Sequence, residues 1–153
     1  MTAPQAQYLA ASTGDGHVRL WDLVSGEMLW ERDADAGRVR SVVDPPGTRL
    51  AVGSGTGDIY VRDVVVGRFT AHLPDHRGRV LMLGFPANPD RLISAAADGT
   101  ARIWSLSEQR QIAEVRIDAS LHCAAYDPTT GRLLAASAAG LAMVTVDLPC
   151  PGQ

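Results

Sequence analysis

The sequence contains no lysine, and all 14 of its Lys-or-Arg positions are arginine. This bias is typical of a protein encoded by a GC-rich, bacterial genome; an arginine surface selected for binding is the alternative. The formal net charge is -3, so the chain also lacks the basic excess of a general nucleic-acid-binding protein. We therefore expect a protein whose partners do not include nucleic acid.

Cysteine is scarce as well. Cys123 and Cys150 have neither a metal-binding nor a redox spacing, and two unpaired thiols are typical of a reducing compartment. The N-terminal region has no basic start followed by an apolar run, and no segment approaches the roughly 20 apolar residues of a membrane-spanning helix. The sequence thus predicts a cytoplasmic protein with no metal site, no cofactor and no membrane contact.

No window favours a helix of about three turns, whereas a repeat runs through the whole chain. Three kinds of position recur with the same spacings of 41, 42 and 41 residues. The turn glycines are Gly16, Gly57, Gly99 and Gly140, the leucines opening the preceding apolar run are Leu9, Leu50, Leu92 and Leu133, and a third column holds Trp21, Arg62, Trp104 and Thr145. Agreement among three independent columns indicates an internal repeat.

The segment 80–116 shows what one repeat contains. Two short apolar runs, VLMLGF and LISAAA, are separated by the turn-forming stretch PANPDR. A DG turn leads into TARIWSL, and the polar stretch SEQR leads into QIAEVRI. Short runs bounded by turn formers are the pattern of antiparallel β-strands. The sequence therefore predicts an all-β chain with about four strands per repeat.

A four-stranded sheet of this size buries its faces only against other sheets, and radial stacking of such sheets produces a β-propeller. The period, the Asp-Gly turns and the strand ends LWD at 20–22 and IWS at 103–105 resemble the WD-repeat family. The resemblance covers nearly the whole chain; it is weaker at VRD (61–63) and faded at VTVDL (144–148).

The family's strand order implies how much of a propeller is present. Counted in that order, the chain supplies strands b and c and then d-a-b-c three times, which makes 14 strands or about three and a half blades. The resemblance thus implies an incomplete propeller, or half-propeller, built of four-stranded antiparallel blades. A single domain is expected over 1–153, with units at approximately 8–24, 25–66, 67–107 and 108–148.

An open arc of blades leaves one face uncovered at each end. We expect residues such as Leu9 and Leu20 to be exposed at one end, and Leu134, Val144 and Val146 at the other. Three explanations stay open: the chain is a fragment or remnant of a longer propeller, it forms a homodimer, or it is completed by a different partial propeller. On an outer strand, Trp30 is expected to be covered by the neighbouring blade.

Blades of this family share a buried hydrogen-bonded set, which comprises Asp in the b–c turn, His before strand a, Ser or Thr on strand b and Trp on strand c. In the third unit His76, Asp98 and Trp104 match three of these positions. The Ser/Thr position, taken as two residues before Asp98, holds Ala96. Since buried polar groups need partners, we assign the set to stability rather than to ligand binding.

The other units match the set less well. The first unit carries Asp15, Thr13 and Trp21, but the segment that would supply its His is missing. In the second unit Thr56 replaces Asp and Arg62 replaces Trp, and the fourth unit lacks the set. We expect these blades to depend on apolar packing.

No motif in the sequence supplies catalysis. GSGTGD at 53–58 resembles a phosphate loop, but no Lys-Ser/Thr and no helix follow it, which favours a turn. HLPDH at 72–76 places two histidines four apart, but Pro74 lies between them in a loop, which disfavours a metal site. No Ser or Cys lies in a nucleophile-elbow pattern. The chain is predicted not to be an enzyme.

Arginines give the only candidate binding site. RVR at 38–40 and RGR at 77–79 are interpreted as equivalent, since Val39 and Val80 are 41 residues apart. In the WD-repeat family the start of strand a lies at the narrower face, where partners often bind. Arg side chains recognise carboxylates and phosphates. The residues of this hypothesis are Arg38, Arg40, Arg77 and Arg79.

The resemblance implies a non-enzymatic scaffold for protein–protein interaction, with no cofactor and with an acidic or phosphorylated protein partner at the arginines. In bacteria such repeats often belong to larger signalling assemblies. Two alternatives stay open: a quinoprotein-like propeller enzyme, and a degenerate remnant with no separate role.

Overall fold

The computed structural model describes residues 7–33 and 40–148, and in these ranges every regular element is a β-strand. In chain order the strands are β1 (Tyr8–Ser12), β2 (His17–Asp22), β3 (Met28–Asp33), β4 (Arg40–Val43), β5 (Arg49–Gly53), β6 (Ile59–Asp63), β7 (Phe69–Leu73), β8 (Val80–Gly84), β9 (Arg91–Ala96), β10 (Thr100–Ser105), β11 (Arg110–Arg116), β12 (Leu121–Asp127), β13 (Arg132–Ser137) and β14 (Gly140–Thr145). The all-β prediction is confirmed.

The strands form four antiparallel sheets. The first sheet is β1-β2-β3, the second β4-β5-β6-β7, the third β8-β9-β10-β11 and the fourth β12-β13-β14. Each sheet is a meander, in which strands that are consecutive in the chain are hydrogen-bonded neighbours. The unit boundaries given above stay a prediction.

Three apolar clusters join the sheets in chain order. Leu20 of the first sheet packs in one cluster with Leu50 of the second. A second cluster joins Ile59 of the second sheet to Trp104 of the third, and a third joins Ile93 to Leu133 of the fourth. All six side chains are buried. Because each sheet contributes opposite faces to successive clusters, the inner sheets are covered on both sides.

Glycine is required in the turns of the second and third sheets. Gly57 and Gly99 have φ values of 107° and 87°. A Cβ would lie 2.3 Å from the carbonyl oxygen of His76 at Gly57, and 1.9 Å from that of Asp118 at Gly99. The chain therefore passes too close for any side chain, and GSGTGD is a turn, as predicted.

The strand pairing of the fourth sheet differs from the alignment that the repeat spacing predicts. In the third sheet Trp104 lies opposite Leu92, but in the fourth Leu133 lies opposite Val144. The alignment of Thr145 with Trp104 is therefore wrong. The β13–β14 hairpin pairs Ser137 with Gly140 directly, which is tighter than the third sheet's turn and moves β14 by one position.

The expectation for the end sheets was partly wrong. Leu9 and Leu134 are exposed, as expected. Leu20, however, is fully buried, and Val144 and Val146 pack against the core between the third and fourth sheets. Alternate residues of a strand point to opposite faces, so these side chains point inward.

Trp30 is covered by the second sheet, as predicted. Its side chain is 6% exposed, and its indole N–H donates a hydrogen bond to the carbonyl oxygen of Val64 at 2.7 Å. The ring also lies against Gly67, where a Cβ would be 3.5 Å away. The outer strand of the first sheet is thereby fixed to the β6–β7 turn.

Candidate functional site

Buried polar side chains form a network in the third sheet. His76, in the β7–β8 loop, has its Nδ1 atom 3.0 Å from Asp98 Oδ2 and its Nε2 atom 2.7 Å from Ser94 Oγ. Trp104 donates its indole N–H to Ser94 Oγ at 2.8 Å, and Thr100 donates its hydroxyl to Asp98 at 2.7 Å. The network fastens the loop to β9, to β10 and to the turn between them.

The assignment of the Ser/Thr position to Ala96 is wrong. The hydroxyl belongs to Ser94, two residues earlier on β9, and it completes the set with His76 and Trp104. Ser94 and Ala96 point to the same face of β9, so alternation alone does not distinguish them. Sequence reasoning missed Ser94 because the distance from the turn, and not the face, decides which hydroxyl reaches Trp104.

The charge states of the network follow from its geometry. Burial lowers the pKa of His76, and the neighbouring Asp98 opposes this effect without cancelling it. Burial by itself would raise the pKa of Asp98, but hydrogen bonds from the Arg77 N–H, Thr100 and His76 lower it to about 2. Neutral His76 can thus donate from Nδ1 to ionised Asp98 and accept the hydroxyl proton of Ser94 at Nε2.

Ser94, His76 and Asp98 have the connectivity of a hydrolytic Ser-His-Asp triad. However, Ser94 is fully buried and its Oγ already accepts the N–H of Trp104. A nucleophile must reach its substrate, and this hydroxyl has no access to one. The arrangement can stabilise the sheet, and it offers no reactive atom at the surface.

The corresponding groups of the first sheet lie near its surface. Thr13 donates its hydroxyl to Asp15, and this bond, followed by one from the backbone N–H of His17, lowers the pKa of Asp15 to about 2. Ala11 occupies the position of Ser94 in the register, so no hydroxyl is present there. Within the described residues, the side chain of Trp21 forms no hydrogen bond.

The second and fourth sheets use other polar contacts. In the second sheet Asp58 accepts the hydroxyl of Thr56 and pairs with His72 at 3.0 Å. In the fourth sheet a hydrogen bond with Ser137 lowers the pKa of Asp118, which lies in the β11–β12 loop. Neither arrangement reproduces the buried relay of the third sheet.

The arginines of the predicted binding site lie around the second and third sheets. Arg77 and Arg79 are exposed in the β7–β8 loop, and Arg40 is exposed at the start of β4. Arg38 lies outside the described residues. Among the described residues, the side chains of Arg40, Arg77 and Arg79 form no ion pair.

Arg40 and the loop that carries Arg77 and Arg79 lie close together, although they do not occupy equivalent positions in their sheets. Arg40 lies opposite Gly53 within the second sheet, whereas Arg77 and Arg79 precede β8. The N–H of Val80 donates to the carbonyl oxygen of Ser54 at 3.0 Å. The start of β8 therefore lies beside the partner strand of Arg40, with Arg79 next to the contact.

A polar cleft of about 440 Å³ lies next to this loop. Its lining residues are Asp75, Arg77, Asp98, Thr100, Arg102, Gln111, Glu114 and Arg116. Arg102 pairs with Glu114 at 3.1 Å, and its Nε and Nη1 atoms are buried without a hydrogen-bond partner. Arginines and carboxylates alternate along the cleft, which suits polar peptide groups better than a hydrophobic ligand.

The described residues carry neither a metal-binding cluster nor a membrane-spanning helix. No cluster of three or more His, Cys, Asp or Glu side chains there is arranged to hold a metal ion. No helix there is long and apolar enough to cross a membrane.

The segment that carries the buried network matches a known family. The family described as "WD domain, G-beta repeat" matches residues 2–22 and 67–105, the second of which contains His76, Ser94, Asp98 and Trp104. The chain belongs to the WD-repeat family. The WD-repeat match includes the two segments that end in the tryptophans of β2 and β10.

Relatives of the WD-repeat chain are much longer proteins. It is 31% identical over 122 residues to "WD repeat-containing protein 90" of Mus musculus, a match that covers 78% of this chain and 6% of that protein. It is 40% identical over 73 residues to "Periodic tryptophan protein 2 homolog" of Neurospora crassa, covering 47% and 8%. It is 28% identical over 119 residues to "Guanine nucleotide-binding protein subunit beta" of Solanum tuberosum, covering 71% and 32%.

A solved structure shares the fold of the WD-repeat chain. The crystal structure of the computationally designed Ika4 protein superposes with a TM-score of 0.78 at 16% sequence identity. The match covers 94% of this chain and 88% of that one. Together with the family match, it confirms the predicted fold class of an incomplete all-β propeller built from antiparallel blades.

Proposed function

We propose that this chain is a non-enzymatic interaction module, which presents a rigid surface to a protein partner through Arg40, Arg77 and Arg79. WD-repeat relatives include a protein named as a subunit of a guanine nucleotide-binding assembly, which supports a scaffold role. The buried state of Ser94 supports the non-enzymatic part of the proposal. A cytoplasmic, bacterial setting belongs to the same proposal and depends on composition alone.

The rigid β7–β8 loop is the observation that carries this proposal. Asp98 accepts the backbone N–H of Arg77 at 2.9 Å, and the carbonyl oxygen of Arg79 accepts the N–H of Ala97 at 2.9 Å. Gly78, between the two arginines, lies against the turn, and a Cβ there would be 2.9 Å from the N atom of Asp98. The loop is therefore held before any partner arrives, which lowers the entropy cost of binding.

The lack of internal partners sets the chemistry of the ligand. Other arginines of the chain, such as Arg19, Arg49 and Arg102, pair with carboxylates of their own sheet. Arg77 and Arg79 have no such partner in the part of the chain that the structure describes, so their guanidinium groups can bind carboxylates or phosphates of another protein. We propose an acidic or phosphorylated segment as the partner.

Peptide binding tests this proposal. Fluorescence anisotropy would measure the affinity of the chain for three labelled peptides of equal length: a glutamate-rich peptide, a phosphoserine peptide and a neutral serine–glutamine peptide. We expect the first two to bind and the neutral peptide not to bind. The double substitution Arg77→Gln and Arg79→Gln should weaken binding by about tenfold or more, and added salt should weaken binding to the unsubstituted chain.

The matched control is Arg110→Gln. Arg110 is exposed on β11, away from the loop, and pairs with Glu108. This substitution removes one positive charge and leaves the residues of the proposed surface unchanged. Equal loss of binding in Arg110→Gln and in the double variant would overturn the assignment to the loop, and equal binding of the neutral peptide would overturn the chemistry of the partner.

A further inference from the structure

One leucine column of the repeat shows how each sheet meets the sheet before it. The column consists of Leu9, Leu50, Leu92 and Leu133, which are 51%, 0%, 0% and 0% exposed. The last three pack against the preceding sheet. The same position in the first sheet is exposed, so the outer face of that sheet has the composition of a buried interface.

The next position along the same strands shows how each sheet meets the sheet after it. Ala51 and Ile93 are buried in the clusters shared with the following sheet. The matching residue of the fourth sheet, Leu134, is 46% exposed. It lies opposite Met143, and Leu141 lies two residues away on the same face; these two are 61% and 75% exposed. We call this surface, formed by Leu134, Leu141 and Met143, the trailing face.

The outer surface of the first sheet carries the complementary half-interface, the kind by which a sheet meets the sheet before it. Leu9 lies opposite Trp21, which lies opposite Met28 across the neighbouring strand pair. Met28 is 52% exposed, and Trp21 is half-buried. We call the surface formed by Leu9, Trp21 and Met28 the leading face.

Polar residues beside the leading face form the same pattern of ion pairs as residues at an internal contact between two sheets. Arg19 pairs with Glu31 and with Asp15, which is four residues earlier. In the third sheet Arg102 pairs in the same way with Glu114, directly opposite, and with Asp98, four residues earlier. The side chain of Arg102 is 9% exposed there, whereas that of Arg19 is 26% exposed. Both the apolar and the polar parts of the leading face thus match surfaces that the chain covers internally.

We propose that the trailing face of one copy of this chain docks against the leading face of a second copy. Each copy carries one half-interface of each kind, and the three internal sheet contacts join surfaces of the same two kinds. The occupant is a second copy because a leucine of one column, Leu50, Leu92 or Leu133, meets the preceding sheet at every internal contact. The leading face of this chain presents the same column position as Leu9. In a pair of copies, the trailing face of each copy covers the leading face of the other. The two head-to-tail contacts then close into a dimer.

Complementation of two variants tests the pairing. Leu9→Asp places a charge in the leading face, and Leu134→Asp places one in the trailing face. Size-exclusion chromatography with light scattering should give about twice 16.2 kDa for the unsubstituted chain and 16.2 kDa for each variant alone. An equimolar mixture should form a dimer again, with lower affinity than the unsubstituted chain, since one junction is intact in a mixed pair.

Val65→Asp is the control. Val65 is 64% exposed in the β6–β7 turn of the second sheet, outside both faces, and its substitution should leave the dimer intact. An unsubstituted chain that stays at 16.2 kDa at every concentration would overturn the proposal. So would a mixture that stays monomeric while both variants keep the far-ultraviolet circular dichroism of the unsubstituted chain.

Milder substitutions keep the test valid if the aspartate variants fail to fold. Leu9→Ala and Leu134→Ala shorten the same side chains without adding charge. Each should raise the dimer dissociation constant by about tenfold, because a leucine side chain loses its burial at the junction. An unchanged dissociation constant for both alanine variants would contradict the docking of these faces.

Discussion

Trp104 Nε1 lies 2.8 Å from Ser94 Oγ, so a tryptophan on β10 donates a hydrogen bond to a hydroxyl on the neighbouring strand. Ser94 in turn lies 2.7 Å from His76 Nε2. All three side chains are buried, and no water is needed to satisfy the serine. The relay runs from the middle of the sheet to the loop that carries the exposed arginines, so stability and the proposed binding surface share one set of hydrogen bonds.

Ser94→Ala should destabilise the protein by about 1–3 kcal/mol, because it leaves the Trp104 N–H and a nitrogen of His76 buried without their partner. Urea unfolding followed by tryptophan fluorescence measures the change. Ser120→Ala is the control, since Ser120 is exposed in the β11–β12 loop and should tolerate the same substitution. Equal stability of the two variants would show that the relay contributes nothing.

Stability should fall on acidification in two windows. The folded state holds the pKa of His76 below its usual 6.5, so the unfolded chain takes up this proton first, and stability falls as the pH drops below 6.5. The pKa of Asp98 is about 2 in the fold against the usual 3.8. Its contribution is complete above 3.8 and is lost as the pH falls through 2.

His76→Gln isolates the first window. The free energy of unfolding, measured by urea titration between about pH 7.5 and 5, should lose much of its slope in this variant. His72→Gln serves as the control, because His72 is exposed and its substitution should leave most of the slope. The explanation fails if the slope survives in His76→Gln and disappears in His72→Gln.

Gly99→Ala should be among the most damaging single substitutions in the third sheet. The new Cβ would lie 1.9 Å from the carbonyl oxygen of Asp118, and we expect a loss above about 3 kcal/mol. Gly26→Ala separates this clash from backbone strain. Gly26 also has a positive φ, 75°, but its Cβ would meet nothing within 4 Å, so about 1 kcal/mol is expected. Thermal unfolding of both variants gives the comparison.

Trp30→Phe should cost about 1–2 kcal/mol, since the buried carbonyl oxygen of Val64 loses its hydrogen bond. Trp21→Phe also replaces an indole by a phenyl ring, but the N–H that it removes has no hydrogen-bond partner among the described residues. At concentrations where the chain is monomeric, its effect should therefore stay within about 0.5 kcal/mol. Chemical denaturation measures the free energy of unfolding of both variants. Similar losses in both would mean that ring size, and not the hydrogen bond, fixes the outer strand.

Sequence reasoning predicted the repeat, the strands and the covered Trp30, because periodic leucines and turn glycines are local signals. It failed where a single residue of register decides the outcome. Ala96 and Ser94 both point to the same face, and only the distance from the turn shows which one reaches Trp104. The tighter β13–β14 turn likewise moved Val144 into the position expected for Thr145.

The proposed binding site was less predictable than the fold. Arg77 and Arg79 were proposed from their place before a strand, yet the sequence could not show that their loop is held by Asp98. It also could not show that Leu20 faces inward while Leu9 does not, since both belong to apolar runs. Which face a side chain occupies depends on pairing between strands, and that pairing is not local.

The loop that carries His76 leaves the outer strand of the second sheet and enters the inner strand of the third. Because this loop is fastened, we expect the two sheets to open as one cooperative unit, so that their amide protons exchange only when both sheets open together. Amides of the second and third sheets should accordingly exchange with deuterium most slowly, and those of the first and fourth sheets should exchange earlier, as a gradient from the middle of the arc outward.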